Sequence, residues 1–224
     1  MPATPQPKLW SRDFVLLCSA TFLLWSSFFC LLPVLPLYVV QRWQGSPSQV
    51  GLLSVLLSTS ALLARPLAGY ALDRWGRRWI FLAFLLLFCA TAFGYRLAQS
   101  LLLLFLIRFL HGIPFGVTTT ASNTVAADLV PPGRRGEGIG YFFLAQTSAI
   151  ATAPAVALAV LNGGQFARLF TLAAAIALAA AALALGIRYP PVRNPAARFS
   201  LRSILERRVG WISVTGLFIH MGYG

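Results

Sequence analysis

Gly69-Tyr70-Ala71-Leu72-Asp73-Arg74-Trp75-Gly76-Arg77-Arg78 is a short charged turn set between two long apolar runs, residues 50–72 and 79–98. Each run holds about the 20 apolar residues that, at ~1.5 Å per residue, carry an α-helix across a hydrocarbon core of ~30 Å. Only residues 73–78 join the runs, so the two helices must fold back on each other as a hairpin. Asp73 falls at the C-terminal end of the first helix, where the dipole is negative, and a carboxylate there needs a cation or an N–H group to hold it.

The rest of the chain repeats this alternation. Hydrophobic residues make up 58% of the 224 and charged residues 10%, with a mean hydropathy of +0.76. That composition excludes a soluble domain and predicts an all-α polytopic membrane protein embedded in a lipid bilayer. The net charge of +13 does not point to nucleic acid, because the basic residues alternate with the loops and are not gathered on one face. Spans are expected at about 14–40, 50–72, 79–98, 101–128, 139–161 and 168–187. The N-terminus (Lys8, Arg12), the second loop (Arg74, Arg77, Arg78), the fourth (Arg134, Arg135) and the last (Arg188, Arg193, Arg198, Arg202, Arg207, Arg208) hold most of the basic residues, against Arg42, Arg96 and Arg168 in the opposite loops. By the positive-inside rule the N-terminus and the even-numbered loops are cytoplasmic.

Four stretches follow: a cytoplasmic N-terminus (1–13), a six-helix domain (14–187), a basic cytoplasmic linker (188–208) and the start of a seventh helix (209–224). Met1–Pro7 is proline-rich and lacks the features of a removable signal peptide. In the linker, Phe199, Leu201, Ile204 and Leu205 are spaced for a short interfacial helix on anionic lipid. The segment from Val209 to Gly224 reaches only about 24 Å at ~1.5 Å per residue, which leads to the expectation of an N-terminal portion of a larger protein.

Cys18, Cys30 and Cys89 lie inside apolar runs with no pairing or metal-ligand spacing, so neither a metal nor another cofactor is expected. A membrane-embedded enzyme is disfavoured, because no Ser/His/Asp arrangement or His-rich cluster accompanies the helices.

On the fourth span, Arg108, His111, Gly112, Phe115, Thr119, Ser122 and Asn123 share one broad face at about 100° per residue, with Leu110, Ile113, Val117 and Val125 towards the other. The polar face is expected to look inward. An arginine in a spanning helix costs ~2.5–3.5 kcal/mol on insertion scales, so Arg108 needs a carboxylate, backbone carbonyls, water or an anionic substrate. It either ties this helix to the first span or serves a cavity. His111 has two readings, a titrating group or a hydrogen-bonding one. Gln146 is either a cavity group or an interhelix contact, and Trp25 either packs or binds. On the second span Ser54, Ser58, Ala61, Arg65, Ala68 and Gly69 share a face suited to helix packing, with Arg65 snorkelling to the membrane edge. Gly112 and Gly116 form a small-x-x-x-small pair, and Gly140, Ala149, Ala153, Pro154 and Ala157 form a second small-residue series on the fifth span.

The pattern G-x-x-x-D-R-x-G-R-R, carried by Gly69, Asp73, Arg74, Gly76, Arg77 and Arg78, resembles the signature between helices 2 and 3 of major facilitator superfamily transporters. Arg108-x-x-His111-Gly112-x-x-x-Gly116 is similar to that family's helix 4 motif, whose arginine is associated with cavity structure and proton coupling. The fifth-span series resembles the family's antiporter motif, with Gly140 and Pro154 matching and alanine at three glycine positions. The resemblance covers residues 14–187 and implies one six-helix half of a secondary transporter that rocks against a second half. It implies that Asp73 meets the second half's helix 11 while Arg77 pairs with Asp128, together a conformational latch. The implied function is proton-coupled export of a small organic solute by a multi-pass protein of a bacterial cytoplasmic membrane; a drug-like amphiphile is the first expectation, and an anionic or zwitterionic metabolite the next, because Arg108 has no acid at similar depth in this half. Here the missing partner is the C-terminal six-helix half. The alternatives are a truncated, non-transporting scaffold and a half-size transporter working as a homodimer.

Overall fold

The computed structural model describes residues 9–161 and 164–191. Most of the expected linker and the whole of segment 209–224 lie outside the described residues, as do residues 1–8. Among the described residues there are six long helices: α1 (Arg12–Trp43), α2 (Pro47–Trp75), α3 (Arg77–Gly94, continued by a 3₁₀ turn over Tyr95–Leu97), α4 (Leu101–Leu129), α5 (Arg135–Val160) and α6 (Phe166–Leu185). All six are long and apolar enough to cross a membrane.

Capping serines fix where α1, α2 and α4 begin. Ser11 accepts the Phe14 N–H at 3.2 Å, and Ser100 accepts that of Leu103 at 3.2 Å. Ser46 and Gln49 form a reciprocal capping box with Pro47 at the first helical position, so α2 begins before its apolar stretch. Gly76 separates α2 from α3 in a single residue at φ 91°, a conformation that glycine adopts without the Cβ penalty. Prolines inside α1, α2, α4 and α5 are of the kind tolerated in spanning helices, where neighbours and hydroxyls re-satisfy the backbone.

Packing follows a pattern invisible in the residues themselves. The most extensive interfaces are α2 with α4 and α1 with α5, then α1 with α6 and α3 with α4; α3 also meets α6. This scheme keeps its form when α1, α2 and α3 are exchanged for α4, α5 and α6, the mark of an internal three-helix repeat. One core cluster runs along α1, α2, α3, α4 and α6 around Phe14, Ala68, Phe81, Phe88 and Ala180. A second lies at the opposite end of α1 around Leu31, Val34, Tyr95 and Phe170.

The expectation for α4 needs correction. Val117 and Val125, placed on its outer side, are 3% and 0% exposed, while Asn123, placed on the inward face, is exposed. Because α4 packs on both α2 and α3, both of its sides are covered and a two-face division does not apply. On α2 the buried stripe is Leu53, Leu57, Ser60, Ala61, Ala64 and Ala68, and Ser54, Ser58 and Arg65 are exposed, so the expected packing face is rotated.

Candidate latch and buried arginine centre

Arg77 opens α3 and gathers the ends of two other helices. Its Nη1 donates to Asp73 Oδ1 at 2.9 Å and to the Leu72 carbonyl at 3.1 Å, and its Nε donates to Asp128 Oδ2 at 3.1 Å. Asp73 and Asp128 each sit at a helix C-terminus, where a carboxylate is unfavourable, and Arg77 sits at a helix N-terminus, where a cation is unfavourable. Joining them offsets all three. The Arg77 side chain is 8% exposed, against 55% for Asp73 and 23% for Asp128, so the α4 contact is the more enclosed. Arg74 lies 5.9 Å from the Tyr70 ring centroid. Arg78 is exposed on the other side of the turn, and Gly69 has nothing within 4 Å of the position a Cβ would take.

Arg108 is 2% exposed, the largest fully buried side chain among the described residues. Its Nε donates to the Leu53 carbonyl of α2 and its Nη1 to the Tyr95 hydroxyl, both at 3.4 Å. The guanidinium carbon lies 5.8 Å from the Phe28 ring centroid. Its link to α1 is therefore to an aromatic face and not a hydrogen bond. No carboxylate pairs with it among the described residues. Tyr95, which the sequence reading did not single out, reaches Arg108 because α3 tightens into its 3₁₀ turn there.

His111 is fully buried one turn further along α4, between the rings of Phe88 and Tyr95. Its Nδ1 lies 2.9 Å from Thr91 Oγ1. The Thr91 hydroxyl also contacts the Leu87 carbonyl at 2.9 Å; with its one proton there, it accepts from Nδ1–H and Nε2 is left without a partner. Gln146 is buried on the same side of α5 as Ala149 and Ala153 and donates to Asn123 Oδ1 at 3.4 Å. Trp25 stacks on Phe29 and meets Phe115 edge-on, its buried Nε1 unpartnered.

Arg108, His111 and Gln146, each given a cavity reading above, are 2%, 0% and 7% exposed and so are covered within this bundle. Helical spacing groups them correctly, but it does not reveal which neighbour covers the group. Of the five candidate cavity residues, Asn123 is exposed and Trp25 is partly so.

The small residues divide in the same way. A Cβ on Gly112 would meet the Leu57 carbonyl oxygen at 2.5 Å and also Ser60 Oγ, and one on Gly116 would meet the Ala61 carbonyl oxygen at 2.5 Å, so α2 and α4 touch backbone to backbone. Ala149, Ala153 and Ala157 are buried on α5, and Cys30 of α1 donates to the Ala153 carbonyl at 3.5 Å. Pro154 is half-buried beside them. Gly140 is exposed with open space beside it, so the reading of Gly140 as a close-packing position does not hold within this bundle.

The chain is 28% identical over 170 residues to multidrug resistance protein 1 of Bacillus subtilis, covering 74% of this chain and 42% of that protein. It is 23% identical over 196 residues to quinolone resistance protein NorA of Staphylococcus aureus, covering 85% of this chain and 49% of that protein. The chain thus spans about half the length of the curated relatives it matches. Its fold is similar to that of the human organic anion transporter MFSD10, with a TM-score of 0.72 at 18% identity over 89% of this chain and 53% of that one. A sequence profile described as Major Facilitator Superfamily matches residues 17–224, and with the six-helix bundle and its charged turn this establishes that the chain belongs to that superfamily.

Proposed function

We propose that this chain supplies one half of a secondary active transporter that exports a small organic solute by alternating access, driven by a proton gradient. The observation that carries the reading is the uneven polarity of the outer surface. Exposed residues along α3 and α6 are mainly apolar, including Trp79, Leu86, Leu87, Phe93, Leu178 and Leu185. Exposed residues of α2, α4 and α5 are mixed: apolar ones such as Leu62, Leu67, Leu110 and Leu144 alternate with Ser54, Ser58, Arg65, Asn123, Thr147 and Thr152, polar groups within the spans. Polar groups facing hydrocarbon are expensive, so α3 and α6 suit lipid while the α2–α4–α5 side suits a water-filled cavity and a second bundle. Open space beside Gly69 on α2 and Gly140 on α5, on helices related by the internal repeat, supports close approach of that second half there.

In this reading the Arg77 cluster is a latch. It ties α3 to the ends of α2 and α4 in one state and is remade with the second half as the cavity changes sides. Arg108, buried without a carboxylate, is a coupling element and not a direct ligand, and His111 and Tyr95 hold its surroundings. The membrane is that of a bacterial cell, and the N-terminus and the Arg77 end of the bundle face the cytoplasm. The relatives' names, multidrug resistance and quinolone resistance, support a drug-like, amphiphilic substrate.

Inverted membrane vesicles holding the full gene product and energised to acidify their lumen test this. Accumulation of ethidium that a protonophore abolishes is the expected result. Binding of ethidium without gradient-dependent accumulation would remove the transport reading.

A further inference from the structure

At the end of the bundle where α2 passes into α3 and α6 stops, a cleft of about 500 Å³ opens, lined by Arg78, Arg188, Trp75, Trp79, Tyr189 and the flank of Arg77. That volume lies within the ~300–1,000 Å³ of ordinary ligand pockets. No described acid lines the cleft: Asp73 and Asp128 pair with Arg77, Glu137 pairs with Arg134, and Asp13 accepts the backbone N–H of Arg188 at 3.0 Å beside it. Arg78 and Arg188 form no ion pair among the described residues. Arg78 also stands in the first turn of α3, which has neither an acidic residue nor a side-chain cap, so its charge adds to the positive end of the dipole.

The cleft wall is fixed and not a loose surface. The Tyr189 hydroxyl donates to the Ala184 carbonyl at 2.8 Å and its ring meets Phe81 edge-on at 6.3 Å. Burial raises the pKa of this phenol against the opposing field of Arg78, which keeps it protonated for that bond. Trp75 and Trp79 are 52% and 71% exposed at the end of the spans, the level at which indole rings settle in a bilayer. Trp75 also walls a second, apolar cleft of about 320 Å³ that follows α2 from Ala64 against Phe84, Ile113 and Val117.

We propose that this cleft is a binding site for an anionic phospholipid, with Arg78 and Arg188 on the phosphate, the tryptophans at ester depth and one acyl chain in the apolar cleft beyond Trp75. A free anion would use the arginines and leave the exposed indoles and the adjoining apolar groove without a role; an amphiphile uses all of them. Neither Asn123 nor Trp25 lines either cleft, and the site stands whether or not the export reading is right.

The test is lipid retention by the purified full chain in neutral detergent, read by native mass spectrometry with phosphatidylglycerol or phosphatidylcholine of the same acyl chains. Wild type should retain phosphatidylglycerol at least about tenfold more strongly. Combined Arg78→Gln and Arg188→Gln should abolish the preference, and Arg135→Gln, outside the cleft, should keep it. Trp79→Ala should weaken retention with no change in charge, which decides the matter should the glutamine pair fail to fold. Equal retention of the two lipids by wild type, an undiminished preference in the glutamine pair, or displacement of the lipid by millimolar inorganic phosphate would overturn the proposal.

Discussion

Arg77 at the start of α3 donates to Asp128 at the end of α4 at 3.1 Å, across 51 residues of sequence, with Asp73 closing the cluster at 2.9 Å. Loss of one partner of a largely enclosed, hydrogen-bonded charge pair leaves the other unsatisfied, at roughly 1–3 kcal/mol. In the complete two-half transporter, Asp128→Asn and Arg77→Ala should therefore lower the melting temperature of the purified protein in detergent and reduce transport at least tenfold while the protein stays in the membrane. Unchanged turnover in both would reduce the cluster to ordinary surface charge.

Exchange of the pair, Arg77→Asp with Asp128→Arg, puts a carboxylate at the N-terminus of α3 and a cation at the C-terminus of α4, both favoured by the dipoles. Stability should return to near the wild-type value. Transport should return only in part, because Asp73 then faces a like charge four residues on. Thermal melts and turnover of the same preparation check the two halves of this statement separately.

Gly116→Ala should separate α2 from α4, because the added methyl meets the Ala61 backbone; overpacking of this kind costs about 1–3 kcal/mol. Gly140→Ala, with nothing within 4 Å, should not destabilise this bundle and should gain up to about 1 kcal/mol of helix propensity. Equal destabilisation by the two would contradict the packing described.

In the complete two-half transporter, Arg108→Ala should abolish transport, and Arg108→Lys should recover little, since the Leu53 carbonyl and the Tyr95 hydroxyl are met by a fork of donors and not by a point charge. Removing a buried cation that lacks a carboxylate need not destabilise the fold. The separation of the two effects is the signature of a coupling role. A large fall in melting temperature with normal turnover would make Arg108 a structural tie.

Topology is checked in a cysteine-free variant carrying single cysteines at Gln99 or Gly133, which lie in loops at opposite ends of the bundle. An impermeant thiol reagent added outside intact cells should label position 99 and leave position 133 untouched. The reverse would invert the proposed orientation.

The six spans were legible because about 20 apolar residues in a row have one low-energy outcome in a bilayer. The hairpin at 73–78 was legible because its residues leave no room for a longer connection. The surroundings of Arg108 were not, because Tyr95 reaches it only through a local tightening of α3, and Leu53 offers a backbone carbonyl that every residue possesses. The covering of Val117 and the exposure of Asn123 depend on which helices flank α4, a tertiary choice that hydrophobic spacing along one helix does not encode. The internal repeat lies in the order of helix contacts, so it was absent from the residue pattern altogether.

The central claim is that this bundle presents a polar face that a second bundle must complete. Its most direct measurement is uptake of ethidium by liposomes containing purified residues 1–224 alone, with an imposed pH gradient. The account predicts no saturable, gradient-driven uptake from this chain by itself. Saturable, protonophore-sensitive uptake by a defined dimer would contradict it, since two copies would then cover the polar face by two-fold symmetry and one half would be sufficient.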